Sequence, residues 1–471
     1  MTTPPAVTRP TAWQVVLTFG VVSLFADMVY EGARSLYGPA LLALGASATV
    51  VGLVTGAGEA MALVLRLVAG PTADRRGAHW AFTIAGYGLT AVCVPLLAVS
   101  PRLGAAGLVF GAAMILLERA GKAVRSPSKS ALLAAAARSL GRGTGFGVHK
   151  ALDQIGAFSG PLLVAGVVAL TSSTWLGFAW LAVPGAAAMT VLLLLRRALR
   201  APAGGDGAPA DPSPRPSGSP AAPVAAANVD AASSGSPSEA ASPTGSTAPV
   251  PPVSSTGPTA RSRARWRTRL GTDLPPAFLT YALAAGTTTA GLVTFAVISV
   301  HLTRDLGLPT ATIPLVYAGA MAVEAVAALL AGRCFDVYGP ATLFAVPVAV
   351  AVVPPLAFGA APALALTGVA VWGAATGVQD STIKALVADL VPSSSLATAY
   401  GVFAAVQGVF ALVGGTAAGF LLDRSVPLLI GLVAASQAVA VVLLLRSLRL
   451  GKEPARTSSR TPAAPHPPSP R

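Results

Sequence analysis

Several ionisable side chains lie inside long apolar runs of this chain, where a lone charge has little water around it. The six candidates are Asp27, Glu31, Glu59, Arg119, His149 and Asp153. A charged group within a membrane-spanning segment is expensive, so each position is a candidate for function. A carboxyl group that is partly removed from water binds a proton more readily and can exchange it near neutral pH. The sequence therefore predicts proton coupling or substrate binding at these six positions.

The first apolar run carries two acids, Asp27 and Glu31, which are four residues apart and so share one helical face. Asp27 lies about 21 Å beyond Trp13 at a rise of about 1.5 Å per residue, which is past the middle of a membrane. Two interpretations of Asp27 stay open, a proton-exchanging acid and an interfacial residue. For Glu31 the plainer interpretation is a place at the outer interface, paired with Arg34.

Glu59 and Arg119 each allow more than one role. Glu59 falls midway along the second run and can carry protons, bind a cationic substrate or pair with a basic group. Arg119 belongs to a charged cluster, Glu118 to Lys122, that is predicted to end the fourth helix. It is either an interfacial arginine or a member of a coupling site.

On the fifth run His149 and Asp153 are four residues apart and share a face, with Lys150 beside them. A buried carboxylate needs a cation, and either Arg119 or Lys150 can supply it to Asp153.

The second half of the chain repeats this arrangement with fewer charges. Glu324 lies in an apolar run, and Asp380 and Lys384 are spaced for a pair within one helix, which is the plainer interpretation of those two residues.

The elements that position these residues are predicted from composition. Of the 471 residues, 54% are hydrophobic and 11% are charged, and the mean hydropathy is +0.68. Soluble proteins average about 25% charged residues. Many of the apolar runs approach 20 residues, enough to cross a bilayer core of about 30 Å. We therefore expect an all-α membrane protein with twelve transmembrane helices in two pseudo-symmetric six-helix bundles. The predicted helices are 13–33, 48–69, 80–100, 103–124, 144–170, 174–196, 276–300, 312–333, 340–360, 362–388, 397–420 and 426–447.

Four regions follow from this pattern. The N-terminal bundle occupies 1–200, a cytoplasmic linker 201–270, the C-terminal bundle 271–450 and a tail 451–471. The linker is dominated by Pro, Ser, Ala, Gly and Thr, so it is predicted to be disordered, like the tail.

The net charge of +14 favours membrane orientation over nucleic-acid binding, because the basic residues cluster in predicted loops and tails. The loops after the second and fourth helices carry Arg75, Arg76, Arg125, Lys129, Arg138 and Arg142. The loops on the other side hold little beyond Arg34, Arg102, Arg304 and Arg424. The positive-inside rule then places both termini and the linker in the cytoplasm, with the chain in the cytoplasmic (inner) membrane.

Two glycine-containing hairpins indicate an internal duplication. One follows the second helix and the other follows the eighth, and each has Gly, then Asp four residues on, then Gly three residues later. They comprise Gly70, Asp74, Arg75 and Gly77, and Gly332, Asp336 and Gly339. A constant offset also aligns 144–148 with 398–402 and Gly160 with Gly414. At this offset the polar residues of the fifth helix face Phe403, Ala404 and Gln407. The halves are predicted to share packing glycines, with coupling chemistry in the first.

The two halves, the central linker and the first hairpin resemble the major facilitator superfamily of secondary transporters. The hairpin matches the superfamily signature at the four residues given above and departs from it at Ala78, where a basic residue is usual. The fifth helix carries Gly147, Gly156, Gly160 and Pro161 at spacings similar to the motif of the superfamily's antiporters. Val164 and Ala165 replace the closing glycine pair. Arg119 resembles a fourth-helix arginine that drug-exporting members use in proton coupling.

This resemblance implies a secondary transporter that exports a small organic or amphipathic compound in exchange for protons by alternating access. The alternatives are a proton-coupled uptake symporter and a non-transporting membrane protein such as a lipid flippase or an assembly platform. We expect no enzyme activity and no cofactor or metal, because the sequence has neither a phosphate-cradling loop nor a metal-ligand cluster. The expected partners are a small-molecule substrate, protons and the lipid bilayer, with no nucleic acid, and the expected state is a monomer.

Overall fold

The computed structural model describes residues 10–200, 274–392 and 395–452. The predicted linker, 201–270, and nearly all of the predicted tail, 451–471, lie outside the described residues.

The N-terminal half folds into six helical spans. They are α1 (Ala12–Ala43), α2 (Ala48–Arg76), α3 (His79–Leu96), α4 (Gly107–Ala136), α5 (Arg142–Thr171) and a broken sixth span, α6a (Thr174–Trp180) and α6b (Ala182–Arg200). Hydroxyl caps fix two starts. The Thr11 side chain accepts a hydrogen bond from the Gln14 N–H before α1, and Ser47 accepts one from Val50 before α2.

The C-terminal half repeats this plan. Its spans are α7a (Pro276–Gly291) and α7b (Phe295–Val300), followed by α8 (Thr312–Tyr338), α9 (Ala345–Ala357), α10 (Pro362–Leu390), α11 (Leu396–Leu422) and α12 (Val426–Lys452). A π-helical turn, His301–Asp305, extends α7b.

Among the described residues, nine helical stretches are long and apolar enough to cross a membrane. Two of them, 79–139 and 312–357, each contain two of the spans named above, so the nine stretches hold every span except α10. With 29 residues, α10 has the length of a spanning helix. Large apolar side chains such as Val109, Leu170 and Val439 are exposed on the outside of the bundle, as a lipid-facing surface requires. The prediction of an all-helical membrane protein is confirmed.

The two ends of the bundle differ in the chain segments they carry. The terminus face holds the start of α1, the α2–α3 turn and the end of α12, and the far face holds the α1–α2 turn and the end of α7b. The halves meet where α2 packs along α11. A Cβ atom added to Gly52 would overlap the carbonyl oxygen of Gly415, and one added to Gly419 would overlap that of Ala48. Backbones this close explain the small residues on both helices.

The duplication is visible in matched packing of α5 and α11. A Cβ atom on Gly160 would overlap the backbone of Met28 in α1, and one on Gly414 would overlap the backbone of Ala290 in α7a. The two aligned glycines therefore hold equivalent helices together in the two halves.

The predicted hairpins are tighter than expected. Gly70 lies within α2, which continues to Arg76, and Gly77 then ends the helix with a φ of 58°. In the second half Gly332 lies within α8 and Gly339 ends it with a φ of 60°. The prediction that the second helix ends at residue 69, before Gly70, is wrong, because a membrane helix tolerates glycine where neighbouring helices pack against it. The predicted eighth helix, 312–333, included Gly332 but ended too early, since the observed helix continues to Tyr338. A left-handed glycine ends each helix instead.

Two further helix ends were predicted too early. Helix α1 runs ten residues past the predicted end, so Arg34 lies inside a span and not in an outer loop. Helix α4 runs to Ala136, so the cluster from Glu118 to Lys122 lies near the middle of the helix. Arg125 and Lys129, predicted in a loop, are on the same helix. In both cases charged residues suggested a membrane surface, whereas they face polar partners inside the bundle.

Candidate functional site

A cavity of about 410 Å³ lies between the two halves. It is lined by residues of α1, α2, α4 and α5 on one side and of α7a, α8, α10 and α11 on the other. Its lining includes six acidic and six basic residues. These are Asp27, Glu31, Glu59, Asp153, Glu324 and Asp380, and Arg34, Arg66, Lys122, Arg125, Lys129 and Lys150. A cavity with so many ionisable groups between two pseudo-symmetric bundles is the candidate site.

The cavity is closed at the far face and extends towards the terminus face. At the far face α1 meets α7b so closely that a Cβ on Gly38 would overlap the Ala296 carbonyl oxygen, and Tyr37 is buried. Towards the terminus face the lining continues to Leu133 and Phe146, and half of the Lys150 side chain is exposed. Water can therefore reach the cavity from the terminus face.

Helix α1 presents one polar face to the cavity. Asp27, Tyr30, Glu31 and Arg34 are spaced by three or four residues and all line it. Arg34 lies 3.3 Å from Glu31, and the Tyr317 hydroxyl donates a 2.5 Å hydrogen bond to the same carboxylate from the other half. The predicted pairing of Glu31 with Arg34 is therefore present, but it lies in the interior and not at an outer interface.

Glu59 is shared between two arginines. Its carboxylate lies 3.1 Å from Arg34 and 3.3 Å from Arg119. Arg119 is buried, donates to the Tyr30 hydroxyl and lies 3.5 Å from Glu118, which is fully buried. Of the three roles predicted for Glu59, the structure shows the pairing with basic groups. The interfacial interpretation of Arg119 is wrong, because this guanidinium is inside the bundle.

Asp27 has a single basic partner in α4. Arg125 lies 3.6 Å from its carboxylate and donates a 2.6 Å hydrogen bond to Thr90 of α3. About 15% of the Asp27 side chain is exposed, so the carboxylate is reached from the cavity. A proton on Asp27 would release Arg125 from its partner.

Asp153 adjoins Asp27 and extends the polar cluster towards the terminus face. Ser23 of α1 donates a 2.6 Å hydrogen bond to its carboxylate, and Lys129 donates a 3.2 Å hydrogen bond to Ser23. Lys150 lies 3.7 Å from Asp153. Of the two predicted partners for Asp153, Lys150 is close, whereas Arg119 is engaged with Glu59. His149 lines the cavity beside them and is 6% exposed.

The wall contributed by the C-terminal half is mostly neutral. Gln379 and Gln407 both donate to the Thr289 hydroxyl, at 3.4 and 3.3 Å, and the Trp372 ring lines the cavity next to them. Glu324 and Asp380 add two acids to this wall. The predicted pair between Asp380 and Lys384 lies partly outside the described residues, since the Lys384 side chain is not described.

The remaining predicted residues have structural positions away from the cavity lining. Gly156 and Gly160 pack α5 against α1, with Pro161 in the helix beside them, whereas Gly147 has open space around it. Asp74 lies 3.6 Å from His79 at the terminus face, with Arg75 next to it. The hairpin residues and the α5 glycines are thus not brought together with the ionisable site.

Several site residues were missed from the sequence as members of one constellation. The i, i+3, i+4, i+7 spacing on α1 could have added Tyr30 and Arg34 to Asp27 and Glu31. No local signal could have found Tyr317, which reaches Glu31 from the other half. Within the described residues, no group of three or more His, Cys, Asp and Glu side chains is arranged to hold a metal ion.

Comparison with known proteins gives the fold a family context. The model of the Major Facilitator Superfamily matches residues 277–470. The chain is 42% identical to an uncharacterized protein of Mycobacterium tuberculosis over 440 residues, which are 93% of this chain and 94% of that protein.

Solved structures with the same fold include two transporters. One is the nucleoside transporter NupG, with a TM-score of 0.60 and 14% identity, over 93% of this chain and all of that chain (100%). Another is a POT family transporter in complex with 5-aminolevulinic acid, with a TM-score of 0.63 and 12% identity, over 93% of this chain and 96% of that chain.

Proposed function

We propose that this chain, whose residues 277–470 match the Major Facilitator Superfamily model, is a membrane transporter of that superfamily. We propose further that it moves a small amphipathic organic solute by proton-coupled alternating access. The observation that carries the proposal is the cavity between the halves, closed at the far face and lined by six acidic and six basic residues. The charged wall of the N-terminal half suits the polar end of a solute, and Trp372, Met321 and Leu292 suit an apolar end.

We further propose that the terminus face is cytoplasmic. That face carries most of the basic residues near helix ends, among them Arg75, Arg138 and Arg449, whereas the far face has few, among them Arg102 and Arg424. The positive-inside rule supports this orientation in the inner membrane. Protease added to inside-out vesicles should cut within 201–270, and right-side-out vesicles should be protected. Cleavage in right-side-out vesicles would overturn the orientation.

The proton is proposed to bind at Asp27, with Asp153 second and Glu59 third. Asp27 has one basic partner, so a proton can replace that partner at moderate cost. Glu59 lies between two arginines, which stabilise its charged form. Glu31 is held by an arginine and a tyrosine hydroxyl, and His149 is the remaining candidate.

Export by proton antiport is the first direction proposed. It is supported by the antiporter-type spacing of Gly156 and Gly160 and by a cavity that opens to the proposed cytoplasmic side. Uptake by proton symport is the second, and the pair of Asp27 with Arg125 favours it, because a proton on Asp27 releases Arg125 to bind solute at the same time.

Reconstitution tests both directions. The purified protein in liposomes with a pH-sensitive dye inside should move protons when a transported solute is added outside. Proton movement against the solute indicates antiport, and movement with the solute indicates symport. Asp336→Asn, outside the cavity lining, is the matched control for Asp27→Asn. Absence of solute-dependent proton movement across a broad panel of compounds would overturn the proposal and favour a non-transporting protein.

A further inference from the structure

One face of α4 carries a row of basic and hydroxyl side chains directed at the cavity. Lys122, Arg125 and Lys129 occupy positions i, i+3 and i+7, with Ser126 and Ser130 between and beside them, and all five line the cavity. We call these five residues the α4 basic row. Like charges on neighbouring helical turns repel each other, and the repulsion is larger away from bulk water. A row of this kind is stabilised when an anion binds to it.

The acids of the same wall do not neutralise the row. The N-terminal wall has four acidic and six basic lining residues, an excess of two positive charges. Each acid already lies within 4.0 Å of a base: Asp27 with Arg125, Glu31 and Glu59 with Arg34, and Asp153 with Lys150.

Two cations of the row are therefore left over. Within the described part of the chain, Lys122 and Lys129 have no carboxylate at ion-pair distance. Lys122 lies 3.5 Å from the centre of the Tyr30 ring, and Lys129 donates to Ser23. Both contacts leave ammonium donors for another acceptor.

A second observation points to the same place. His149 is 6% exposed and lines the same cavity, yet neither of its ring nitrogens has a hydrogen-bond partner among the described residues. The Nε of Arg66, another lining residue, is likewise buried without an acceptor. Buried polar atoms are normally hydrogen-bonded, so donors left without acceptors around one cavity indicate a ligand that supplies acceptors.

We propose that the transported solute is an organic anion whose oxyanion group, a phosphate or a carboxylate, binds to the α4 basic row. The proposal rests on the cavity being the transport site. Lys122 and Lys129 supply the charge and the two serine hydroxyls supply further hydrogen bonds, as oxyanion recognition requires. The C-terminal wall, where Trp372 and Gln407 lie beside the two acids Glu324 and Asp380, receives the rest of the solute. An anion binds best when Asp27 is protonated and Arg125 is released, so the proposal also favours symport over antiport.

Four probes that share one aromatic ring test the charge preference. They are phenyl phosphate, benzoate, benzyl alcohol and benzylamine, added to the purified full chain in detergent, with affinity measured by calorimetry and by thermal unfolding. We expect the two anions to bind and the alcohol and the amine to bind at least tenfold more weakly. Binding by phenyl phosphate alone identifies a phosphate, and binding by both anions identifies a general oxyanion site; each supports the proposal.

Variants locate the site. Lys129→Gln and Lys122→Gln should each weaken anion binding about tenfold or more, whereas Arg138→Gln, an exposed basic residue at the terminus face, should bind like the wild type. The conservative Lys129→Arg should retain most of the affinity, which separates loss of charge from loss of folding.

The outcomes separate this inference from the proposed function. Binding by benzylamine as tight as by the anions, no anion binding, or equal anion binding in Lys129→Gln would overturn the inference. Solute-dependent proton movement driven by a cationic solute would keep the proposed function and overturn the anion site. Anion binding lost in Lys129→Gln, without proton movement in liposomes, would keep the anion site and overturn proton coupling.

Discussion

The two halves of the molecule have one scaffold and different chemistry. Gly160 packs α5 on the backbone of Met28, and the aligned Gly414 packs α11 on the backbone of Ala290. Asp153 of α5 lies in an ionic cluster, whereas the aligned Gln407 of α11 donates a hydrogen bond to a threonine hydroxyl.

This difference separates what the duplication requires from what each half adds. Close helix packing recurs because both bundles depend on it for the same architecture. Ionic groups need not recur equally, since one wall rich in charges of both signs facing one with two acids and mostly uncharged side chains is enough to bind a solute with a polar end and an apolar end. We propose that coupling belongs to the N-terminal half and recognition of solute shape to the C-terminal half. Each prediction below tests one part of this assignment.

The largest effect is expected at Asp27. Asn has the same shape but binds no proton, so Asp27→Asn should lower gradient-driven transport by roughly 100-fold, the size of a positioned proton-transfer group. Exchange of solute for solute should continue, because it needs no net proton movement. The measurement is uptake or efflux of labelled solute in liposomes with and without a pH gradient.

The matched substitutions test the difference between the halves. Asp153→Asn should also impair gradient-driven transport, while Gln407→Asn at the aligned position should leave coupling intact. If Asp27→Asn, Asp153→Asn and Glu59→Gln all still drive uphill transport, the proton route lies elsewhere, at His149 or Glu324.

Because the two halves share one scaffold, substitution of either aligned glycine by alanine should destabilise the protein to the same extent. Gly160→Ala and Gly414→Ala each place a methyl group on a facing backbone, which should destabilise the protein by about 1–3 kcal/mol. Gly147→Ala, with open space around it, should be neutral or slightly stabilising. Thermal unfolding in detergent measures the relative stabilities of the three variants. A loss at only one of the two glycines would mean that the halves do not share this contact.

The helical scaffold could be predicted from the sequence, because long apolar runs indicate which segments span the membrane and aligned glycines indicate where helices pack closely. The sequence was not sufficient for the helix ends. Glycine does not end a membrane helix unless the chain adopts a left-handed turn, so Gly70 and Gly77 could not be told apart locally. Arg34 and Arg125 were placed in loops because charge usually marks the membrane surface.

The candidate site was predicted in part. Asp27, Glu59 and Asp153 stood out because a lone carboxyl in an apolar run is rare, and all three line the cavity. Their partners were harder to predict. The hydrogen bond between Tyr317 and Glu31 joins residues 286 positions apart and depends on how the halves pack. The choice of Lys150 over Arg119 as the partner of Asp153 depends in the same way on helix rotation.

A smaller effect is expected where the halves meet at the far face. Asp423 accepts hydrogen bonds from Thr49 of the other half, at 3.0 Å from its amide nitrogen, and from Arg304 at 2.7 Å. Only the contact with Thr49 crosses between the halves, and an exposed hydrogen bond of this kind contributes about 1 kcal/mol, so Asp423→Ala should lower the closed-to-open ratio by roughly fivefold. Spin labels on the two sides of the far face, in a variant lacking the exposed Cys334, measure the ratio. Arg424→Gln is the control on the same face.

The pH dependence of this contact has a definite sign. Burial raises the pKa of Asp423, but the hydrogen bonds from Arg304 and Thr49 outweigh it, so the pKa lies below its ordinary value. Opening removes the hydrogen bonds from Thr49, so in the open state the pKa should rise from its closed-state value towards about 3.9. The pKa of this carboxyl group is lower in the closed state than in the open state. Its ionised form therefore stabilises the closed state at any pH above the open-state pKa, and this stabilisation is lost as the pH falls through the closed-state pKa. The contribution of Asp423 to the closed fraction should therefore be constant between about pH 8 and about pH 5. A change in that interval that Asp423→Ala abolishes would contradict the assignment.

The smallest effect is expected at the hairpins of the terminus face. Asp74 is 65% exposed and lies 3.6 Å from His79, and neither Asp74 nor Asp336 lines the cavity. We expect Asp74 to act when the two bundles move, so Asp74→Asn should slow turnover by about threefold, the effect of one exposed ionic contact. Solute affinity at equilibrium should hardly change. Asp336→Asn should have a smaller effect, because among the described residues Asp336 has no basic partner within 4.0 Å.

Turnover and binding are measured separately, by single-turnover transport and by calorimetry. Loss of equilibrium binding in a folded Asp74→Asn protein would contradict the gating role. Equal slowing of turnover in Asp74→Asn and Asp336→Asn would mean that the two hairpins act alike, whereas the two cavity walls differ.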